Sequence, residues 1–358
     1  MKINTVEGPI KSEDLGITLS HEHMIANFTN WWTPPQETSK IPFIDAEITL
    51  ENISELRRNN GVIKDNYTLD DVDLAIEELK PFKKSGGQSI IELTLPGAGR
   101  DVLAMKRISE ATGIAIVCGT GWYVESTHPP LVKKKSVEEL AEIMIEELVE
   151  GIGDTGIRAG IIGEIGCSYP FHPDEAKVLQ AVARAQTVTG ACVSIHCPSE
   201  EWRRRYKKYQ RDGQRYLDII EKEGGNLERV IMLHMDHYNR EKKPQLGLNV
   251  EYNRKILERG VTIAYDAFGR YQRFTPDGMS SPTDRERIAA IVELCDQGYD
   301  GKIVISQDVF LKKHLTRYGG QGYAFILDFI VPALKFSEVS DKGIRNILEE
   351  NPKRLLSF

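Results

Sequence analysis

Eight apolar runs rich in β-branched residues recur along the chain, and a helix-like pattern separates each run from the next. The runs cover residues 17–23, 88–95, 114–119, 158–165, 191–196, 229–235, 261–266 and 302–307. Most of them are continuously apolar, which is typical of parallel strands buried on both faces. Eight strand–helix units close naturally into a (β/α)8 barrel, and 358 residues are enough for one. We therefore predict an α/β fold in which residues 1–358 form a single TIM barrel domain.

The segments between the runs carry helix start and stop signals. Thr68 is predicted to cap one helix, and Ser136 with Glu139 forms a capping box at the start of another. A third helix is expected to begin at His172 and to end at Gly190. Further helical patterns lie near 216–224, 252–259, 283–295, 323–335 and 341–349.

A doubly wound open sheet is the alternative architecture. No Gly-x-Gly-x-x-Gly follows the first run, and the polar residues gather at the ends of several runs instead of at one crevice. Both observations favour the barrel. We also expect a short β ribbon within residues 1–16 and a long irregular segment at 27–66, after the first strand, on the face where barrel enzymes keep their chemistry.

Charge and hydropathy exclude several classes of partner. The net charge of −7 argues against nucleic acid or an anionic membrane as the main partner. No apolar run approaches the ~20 residues of a membrane span. The N-terminus shows no secretory pattern, and the five cysteines are widely spread without a Cys-x-x-Cys pair, so we expect free thiols and a cytoplasmic protein. A small molecule is the expected partner, and homodimer formation is left open.

Imidazoles and a carboxylate stand at the ends of the first and fourth runs. Side chains alternate across a strand with a period of two, so His21 and His23 point to the same side and can bind one ion. Glu164 lies among apolar residues and glycines, where an unpaired buried carboxylate would be costly. Glu164 must therefore meet either metal cations or a basic side chain such as arginine.

Three further runs end in residues of the same kind. His196, His234 and Asp308 end the fifth, sixth and eighth runs. Each alone is equally well explained as a hydrogen-bonded core residue. Together with the ligand types at the first and fourth runs, they indicate a centre for two divalent ions, because the carboxyl ends of barrel strands meet on one face. Zinc is the expected metal, with manganese, cobalt or iron as alternatives.

These local sequences resemble the phosphotriesterase-like branch of the amidohydrolase superfamily over nearly the whole chain. The resemblance is carried by residues 19–23, 99–101, 119–121, 160–166, 306–308 and 351–355. Residues 31–35 and 315–320 are similar to the subgroup of phosphotriesterase-related or resiniferatoxin-binding proteins. By the family's pattern, His21, His23 and Asp308 would hold the more buried metal, and His196 and His234 the more exposed one.

The group that bridges the metals is where this chain departs from organophosphate-hydrolysing members of the family, which usually carry a carboxylated lysine. No lysine occurs from Ser136 through Ala176, so Glu164 is the candidate bridge. This departure favours a lactone or a carboxylic ester over a phosphotriester as the substrate.

The mechanism implied is hydrolysis by a hydroxide that bridges the two metals, which is a nucleophile near neutral pH. The exposed metal would polarise the carbonyl or phosphoryl oxygen of the substrate. Asp308 would take the proton of the attacking hydroxide and pass it to the leaving oxygen. Two alternatives stay open: a ligand-binding homologue without catalysis, and an amidase or deaminase that uses the same centre on a C–N bond.

Substrate contacts are expected from residues that follow the strands. Trp122 and Tyr123 are candidates for an apolar wall, with an ordinary core role as the alternative. His237 could orient a ligand or contact substrate, or simply belong to the start of a loop. Asp266 ends the seventh run, where it could pair with His237 or touch substrate.

Cations in two neighbouring loops raise the question of substrate charge. Arg270 and Arg273 follow the seventh strand, and Lys242 and Lys243 follow the sixth. If these side chains converge over the metals, the substrate should carry an anionic group remote from the scissile bond. If they are only solvated loop charges and Trp31 with other aromatic side chains lines the site, a neutral hydrophobic ester fits better.

Overall fold

Eight parallel strands form a nearly closed barrel, so the predicted TIM barrel is confirmed. The computed structural model describes residues 1–198, 212–237, 248–270 and 281–358. In chain order the strands are β1 (Lys2–Thr5), β2 (Gly8–Lys11), β3 (Thr18–Glu22), β4 (Ala26–Asn27), β5 (Thr68–Leu69), β6 (Ser89–Glu92), β7 (Ala115–Thr120), β8 (Ile161–Gly166), β9 (Val193–His196), β10 (Val230–Met232), β11 (Thr262–Tyr265) and β12 (Ile303–Ile305). The barrel order is β3-β6-β7-β8-β9-β10-β11-β12. Six of these strands lie within one apolar run of the sequence, and β7 and β8 each extend one residue beyond theirs.

The first and last barrel strands, β3 and β12, are joined by hydrogen bonds at their carboxyl ends. The Ser20 hydroxyl donates to the carbonyl of Ile305 at 3.1 Å, and the His21 amide donates to Ser306 Oγ at 3.1 Å. The amide of Asp308 then donates to the carbonyl of His21 at 3.2 Å. These bonds close the barrel and bring the side chains of His21 and Asp308 to the same place.

Side chains of the strands alternate between two separate apolar clusters. One cluster fills the barrel interior with residues such as Ile91, Val117, Ile231 and Val304, and Leu355 packs against it from the last helix. The larger cluster lies between the outer face of the strands and the surrounding helices. Because both faces of each strand are apolar, the runs are continuous instead of alternating. The polar residues are left at the strand ends.

Helices alternate with the barrel strands. In the described residues they are Ile53–Arg58, Val72–Lys84, Val102–Thr112, Pro130–Lys134, Val137–Val149, Pro173–Thr189, Gly213–Lys222, Glu251–Leu257, Asp284–Asp296, Val331–Phe336, Asp341–Arg345 and Asn351–Leu356, with π-helical turns at Ile326–Ile330 and Asn346–Glu350. The capping box of Ser136 and Glu139 is confirmed, as are the start at His172 and the end at Gly190. None of the helices in the described part of the chain is both long and apolar enough to cross a membrane.

The predicted cap at Thr68 is wrong. Thr68 lies in β5, where it pairs antiparallel with Asn27 of β4. The helix begins after Asp71, whose side chain accepts a hydrogen bond from the amide of Leu74 at 2.9 Å. Asp is as good an N-cap as Thr, and the β-branched Thr68 suits the strand better.

The ribbon and the long segment flank the two ends of the barrel's first strand. The ribbon is the antiparallel pair β1–β2, as predicted. The segment 27–66 contains short helical turns and a small core of its own, formed by Ile53, Leu56, Val62 and Ile63. Its Arg57 donates to the carbonyl of Gly319 at 2.7 Å, and so the segment packs against the loop that follows β12.

Candidate metal centre

The residues predicted to bind metal come together at the carboxyl ends of the barrel strands, and all of them are buried. They are His21, His23, Glu164, His196, His234 and Asp308. Within the described residues these side chains form three overlapping groups, and in each group the ligand atoms lie within 4.8 Å of one another. Side chains from five different strands therefore converge on one small volume.

One set of donor atoms consists of the imidazoles of His21 and His23 together with the carboxylates of Asp308 and Glu164. The Nε2 atoms of His21 and His23 are 3.3 Å apart. Asp308 Oδ1 lies 3.6 Å from the first ring nitrogen and 3.3 Å from the second, and Glu164 Oε2 lies 3.5 Å from His21. Donors around a tetrahedral zinc ion with bonds of ~2.0–2.1 Å are roughly 3.3 Å apart. The donor set therefore fits one divalent ion.

A second set of donors lies beside the first and shares Glu164 with it. Glu164 Oε1 is 2.6 Å from His196 Nδ1 and 3.2 Å from His234 Nε2, and these two nitrogens are 3.0 Å apart. The other oxygen, Oε2, faces His21 and His23. The two carboxylate oxygens thus point into different donor sets, as a bridge between two cations requires.

Asp266 sets the ring orientation of one imidazole in each set. Its Oδ2 accepts from His21 Nδ1 and its Oδ1 from His234 Nδ1, both at 2.9 Å. Since both Nδ1 atoms carry a hydrogen, Nε2 is the atom of each neutral ring that offers a lone pair to a cation. Asp266 is fully buried behind these rings. Asp266 therefore supports the two imidazoles. It is not paired with His237, which was one of the partners suggested by the sequence.

The third imidazole is oriented through Thr94. The Thr94 hydroxyl donates to Glu92 Oε1 at 2.6 Å, so it accepts from His23 Nδ1 at 2.9 Å. The Nε2 of His23 is thereby free to bind a cation. Sequence analysis alone did not identify Glu92, although a glutamate inside an apolar run is the same signal that marks Glu164.

Glu22, a second buried glutamate that sequence analysis did not identify, holds the end of β12. Its carboxylate accepts from Ser306 Oγ at 2.6 Å, from the amide of Gln307 at 2.9 Å and from the amide of Val309 at 2.8 Å. Burial raises the pKa of Glu22 to about 7 in spite of these bonds. The loop that carries Asp308 is therefore anchored to the strand that carries His21 and His23.

Two of the candidate ligands have left-handed backbone conformations, at φ +57° for His234 and +50° for Asp308. Residues other than glycine seldom adopt this region. It is held by specific bonds: the His234 amide donates to Asp266 at 3.1 Å, and the Asp308 amide to the carbonyl of His21 at 3.2 Å. Both backbone turns aim the side chains at the centre.

Opposite charges dominate the electrostatics of the site. Burial by itself lowers the pKa of His21, but the carboxylates of Asp308 and Glu164 outweigh it and raise that pKa well above its usual value. Burial likewise works against ionised Glu164, yet His21 and His196 bring its pKa well below the usual value. For Asp308, Arg270 is the largest influence that overcomes burial and leaves the pKa well below normal. Both carboxylates are therefore ionised, the form that binds cations.

Of the two aromatic candidates, Tyr123 lies at the centre and Trp122 does not. The Tyr123 hydroxyl is 3.2 Å from His196 Nδ1, and its ring stacks on Trp31 with centroids 5.5 Å apart. Trp122 is part of the large cluster between the barrel and its helices. A Cβ at Gly166 would lie 2.0 Å from the backbone of Tyr123, so the glycine permits this close approach.

Arg270 and His237 each contact one ligand. Arg270 Nη2 donates to the carboxylate of Asp308 and, at 3.0 Å, to its carbonyl, while the guanidinium lies 5.1 Å from the ring centroid of Phe310. The ring of His237 is stacked 5.9 Å from that of His234. The other candidate cations, Arg273, Lys242 and Lys243, lie outside the described residues.

The chain is similar to known proteins over its whole length. The model of the phosphotriesterase family matches residues 1–356. N-acetyltaurine hydrolase of Bos taurus is 36% identical over 100% of this chain and 98% of its own length. A phosphotriesterase-related protein of Nematostella vectensis is 37% identical, with 99% and 98% covered. The crystal structure of a resiniferatoxin-binding protein from Rhodobacter sphaeroides has a TM-score of 0.90 at 38% identity and covers 99% of this chain and 95% of that one.

Proposed function

The chain belongs to the phosphotriesterase family, and from that premise we propose that it is a hydrolase with two divalent metals that cleaves the bond between an acyl group and a leaving amine or alcohol. The observation that carries the proposal is Glu164, whose two oxygens face two different sets of imidazoles. Glu164 with His21, His23 and Asp308 would hold one ion. The same carboxylate with His196 and His234 would hold the other.

Zinc fits this donor set, which combines imidazole nitrogens with carboxylate oxygens. When bound, two such ions supply a water whose pKa is lowered to roughly 7 and a Lewis acid that polarises the scissile carbonyl. The protein residues do the rest. Asp266 and Thr94 orient three imidazoles, so that the Nε2 atom of each ring faces a proposed metal position.

Asp308 is the proposed proton carrier. Its Oδ1 faces His21 and His23, and its other side is bound by Arg270. It would accept the proton of the attacking water as the C–O bond forms and deliver that proton to the leaving atom as the acyl bond breaks. An amine leaving group has the greater need of that proton, because an amide anion is a far poorer leaving group than an alkoxide.

The similar proteins of known name support an amide as the scissile bond. Relatives named N-acetyltaurine hydrolase match this chain over its full length at 33–36% identity, for example those of Bos taurus and Salmo salar. The C–N reading, an alternative in the sequence analysis, therefore becomes the first candidate. A lactone or carboxylic ester is the second, favoured by Glu164 in the place of a carboxylated lysine.

The test combines metal analysis with a substrate panel. Purified protein would be assayed for metal content by elemental analysis and then offered N-acetyltaurine, neutral acetamides, lactones, carboxylic esters and phosphotriesters, with release of amine and acid followed separately. We expect two zinc equivalents per chain and fastest release of an amine. Two metals without turnover of any compound would instead support a binding protein, and ester turnover without amide turnover would support the second candidate.

A further inference from the structure

Arg270 is only partly used by the protein itself. One guanidinium nitrogen, Nη2, serves both the carboxylate and the carbonyl of Asp308. The Nε atom is buried and has no hydrogen-bond acceptor among the described residues. A buried N–H without an acceptor is costly, and the five-donor fork of arginine is suited to planar oxyanions. Arg270 is therefore held in place with donor capacity left over.

Two further side-chain nitrogens near the centre share this property. Trp31 Nε1 and His237 Nδ1 are buried, and the described part of the chain offers them no hydrogen-bond partner. The Trp31 ring is 6.2 Å from the ring of His196, and the His237 ring is 5.9 Å from that of His234. Arg270 contacts a third ligand, Asp308. Side-chain nitrogens without a hydrogen-bond acceptor thus lie next to three different candidate ligands. This pattern is expected where a substrate rich in acceptor oxygens binds.

The surroundings of Arg270 determine which part of a substrate it can meet. Its guanidinium lies 5.1 Å from the ring centroid of Phe310, which in turn packs against Phe28 with centroids 5.6 Å apart. This aromatic contact restricts the orientation of the planar guanidinium, which a lysine ammonium group could not match. The contact with Asp308 places the positive charge directly beside the proposed proton carrier. The leaving-group side of the substrate is therefore the side that the cation faces.

We propose, building on the hydrolase function proposed above, that Arg270 anchors a carboxylate or sulfonate carried by the leaving group of the substrate. The anion accepts from the unpartnered Nε–H and shares the guanidinium with Asp308. Trp31 and His237 supply the remaining polar contacts around the bound molecule. Substrates of the same acyl group without the anion lose this contact and bind without the correct orientation at the scissile bond.

Binding of small anions tests the anchor without any turnover. Ethanesulfonate and propionate would be titrated calorimetrically into the zinc-loaded protein at fixed ionic strength, with ethyl methyl sulfone as the neutral counterpart. We expect both anions to bind and the sulfone to bind about tenfold more weakly or not at all. In Arg270→Gln the anions should lose about tenfold or more in affinity, the loss expected for one charge-assisted hydrogen bond.

Two controls keep the result specific. Arg58→Gln removes an equally charged side chain that is 74% exposed on the segment after β3, and it should leave anion affinity unchanged. Arg270→Lys keeps the charge beside Asp308 but lacks the fork, so it should bind the anions more weakly than the natural protein and more tightly than Arg270→Gln. If Arg270→Gln loses zinc, Arg270→Lys carries the comparison, and an affinity equal to that of the natural protein overturns the proposal. Anion affinity unchanged in zinc-loaded Arg270→Gln also overturns it, because the anions would then bind the metals.

A matched substrate pair separates failure of the anchor from failure of the hydrolase. N-acetyl-β-alanine carries a carboxylate on the leaving amine, and N-propylacetamide has the same scissile bond without the charge. Equal kcat/KM for the two compounds would remove the anchor while the hydrolase stands. Anion binding that depends on Arg270, without turnover of any compound, would leave the anchor in place and remove the proposed function.

Discussion

The imidazole rings of His21 and His234 lie 5.2 Å apart, and their Nδ1 atoms donate to the two oxygens of a single carboxylate, Asp266. These two rings belong to different donor sets. One buried acid therefore sets the tautomer of a ligand in each proposed metal site, and it couples their geometries. A substitution at Asp266 should therefore change the metal affinity of both proposed sites.

We expect Asp266→Asn to weaken zinc binding at both sites, by about 10–100-fold. Asparagine keeps the shape but offers one acceptor oxygen, and its amide nitrogen can only donate, so one imidazole loses its partner. Competition with a chromogenic chelator measures both affinities. Asp65→Asn, which changes a half-exposed carboxylate paired with Lys312, is the matched control. Two unchanged affinities would show that Asp266 does not orient the ligands.

Glu164→Gln should lower the metal content from two zinc ions toward one or fewer per chain. The amide has only one acceptor oxygen and no negative charge, so it cannot serve both His21 and His196 as the carboxylate does. Hydrolysis should fall by several orders of magnitude. Elemental analysis of dialysed protein checks the first expectation, and an assay in excess zinc checks the second. Full metal content with near-normal turnover would make Glu164 a structural acid only.

Asp308→Asn should slow the chemical step far more than it weakens substrate binding. The pKa of Asp308 lies well below its usual value, because Arg270 and His21 outweigh the effect of burial. The carboxylate is thus ionised across the working range, and the acidic limb of activity belongs to the activated water, near or below neutrality. Single-turnover rates from pH 5 to 9 measure this. A variant with an intact rate and only a changed KM would exclude Asp308 from proton transfer.

His128 should make the fold less stable in mild acid. Its Nε2–H donates to the carbonyl of Tyr123 at 2.7 Å, and burial is the main reason that its pKa is lowered. With the folded-state pKa below the unfolded value of ~6.5, the unfolded chain takes up the proton first as the pH falls. Stability should therefore be full above ~6.5 and decline below it.

Urea unfolding at pH 8 and pH 5.5 measures the contribution of His128. The loss of unfolding free energy between the two pH values should shrink in His128→Asn. His172→Asn is the comparison, because His172 caps a helix and its side chain is 41% exposed. An identical pH dependence in the natural protein and His128→Asn would assign the acid sensitivity to other groups.

The strand positions and the convergence of the six candidate ligands could be predicted from the sequence because both depend on simple repeats. A strand buried on two faces must be apolar throughout, so a polar residue such as His196 or Glu164 is visible at its end. The supporting contacts could not be predicted in this way. Glu22 and Glu92 carry the same sequence signal as Glu164, but they accept hydrogen bonds from Ser306 and Met24, which lie beyond the ends of other strands. Only the register of the closed barrel shows these partners.

Trp122 and Tyr123 illustrate the same limit for substrate contacts. They are neighbours in sequence, yet Trp122 packs in the outer cluster and Tyr123 lies beside His196. Which of the two faces the centre depends on the turn after β7, which the sequence pattern does not specify. For a similar reason the sequence suggests His237 or substrate as possible partners of Asp266, whereas its carboxylate accepts hydrogen bonds from His21 and His234.

The joint between β3 and β12 has a consequence for how the protein is made in the cell. The amide of His21 and the hydroxyl of Ser306 that it meets are 285 residues apart in the chain. His21 and Asp308 belong to one group of candidate ligands, so that group does not exist until the last strand has been translated and has docked on the first. We expect ribosome-bound chains that stop before Ser306 to retain no zinc at this position. Binding of the more buried ion would thus be delayed until β12, the last strand of the barrel, has been translated and the polypeptide is nearly complete.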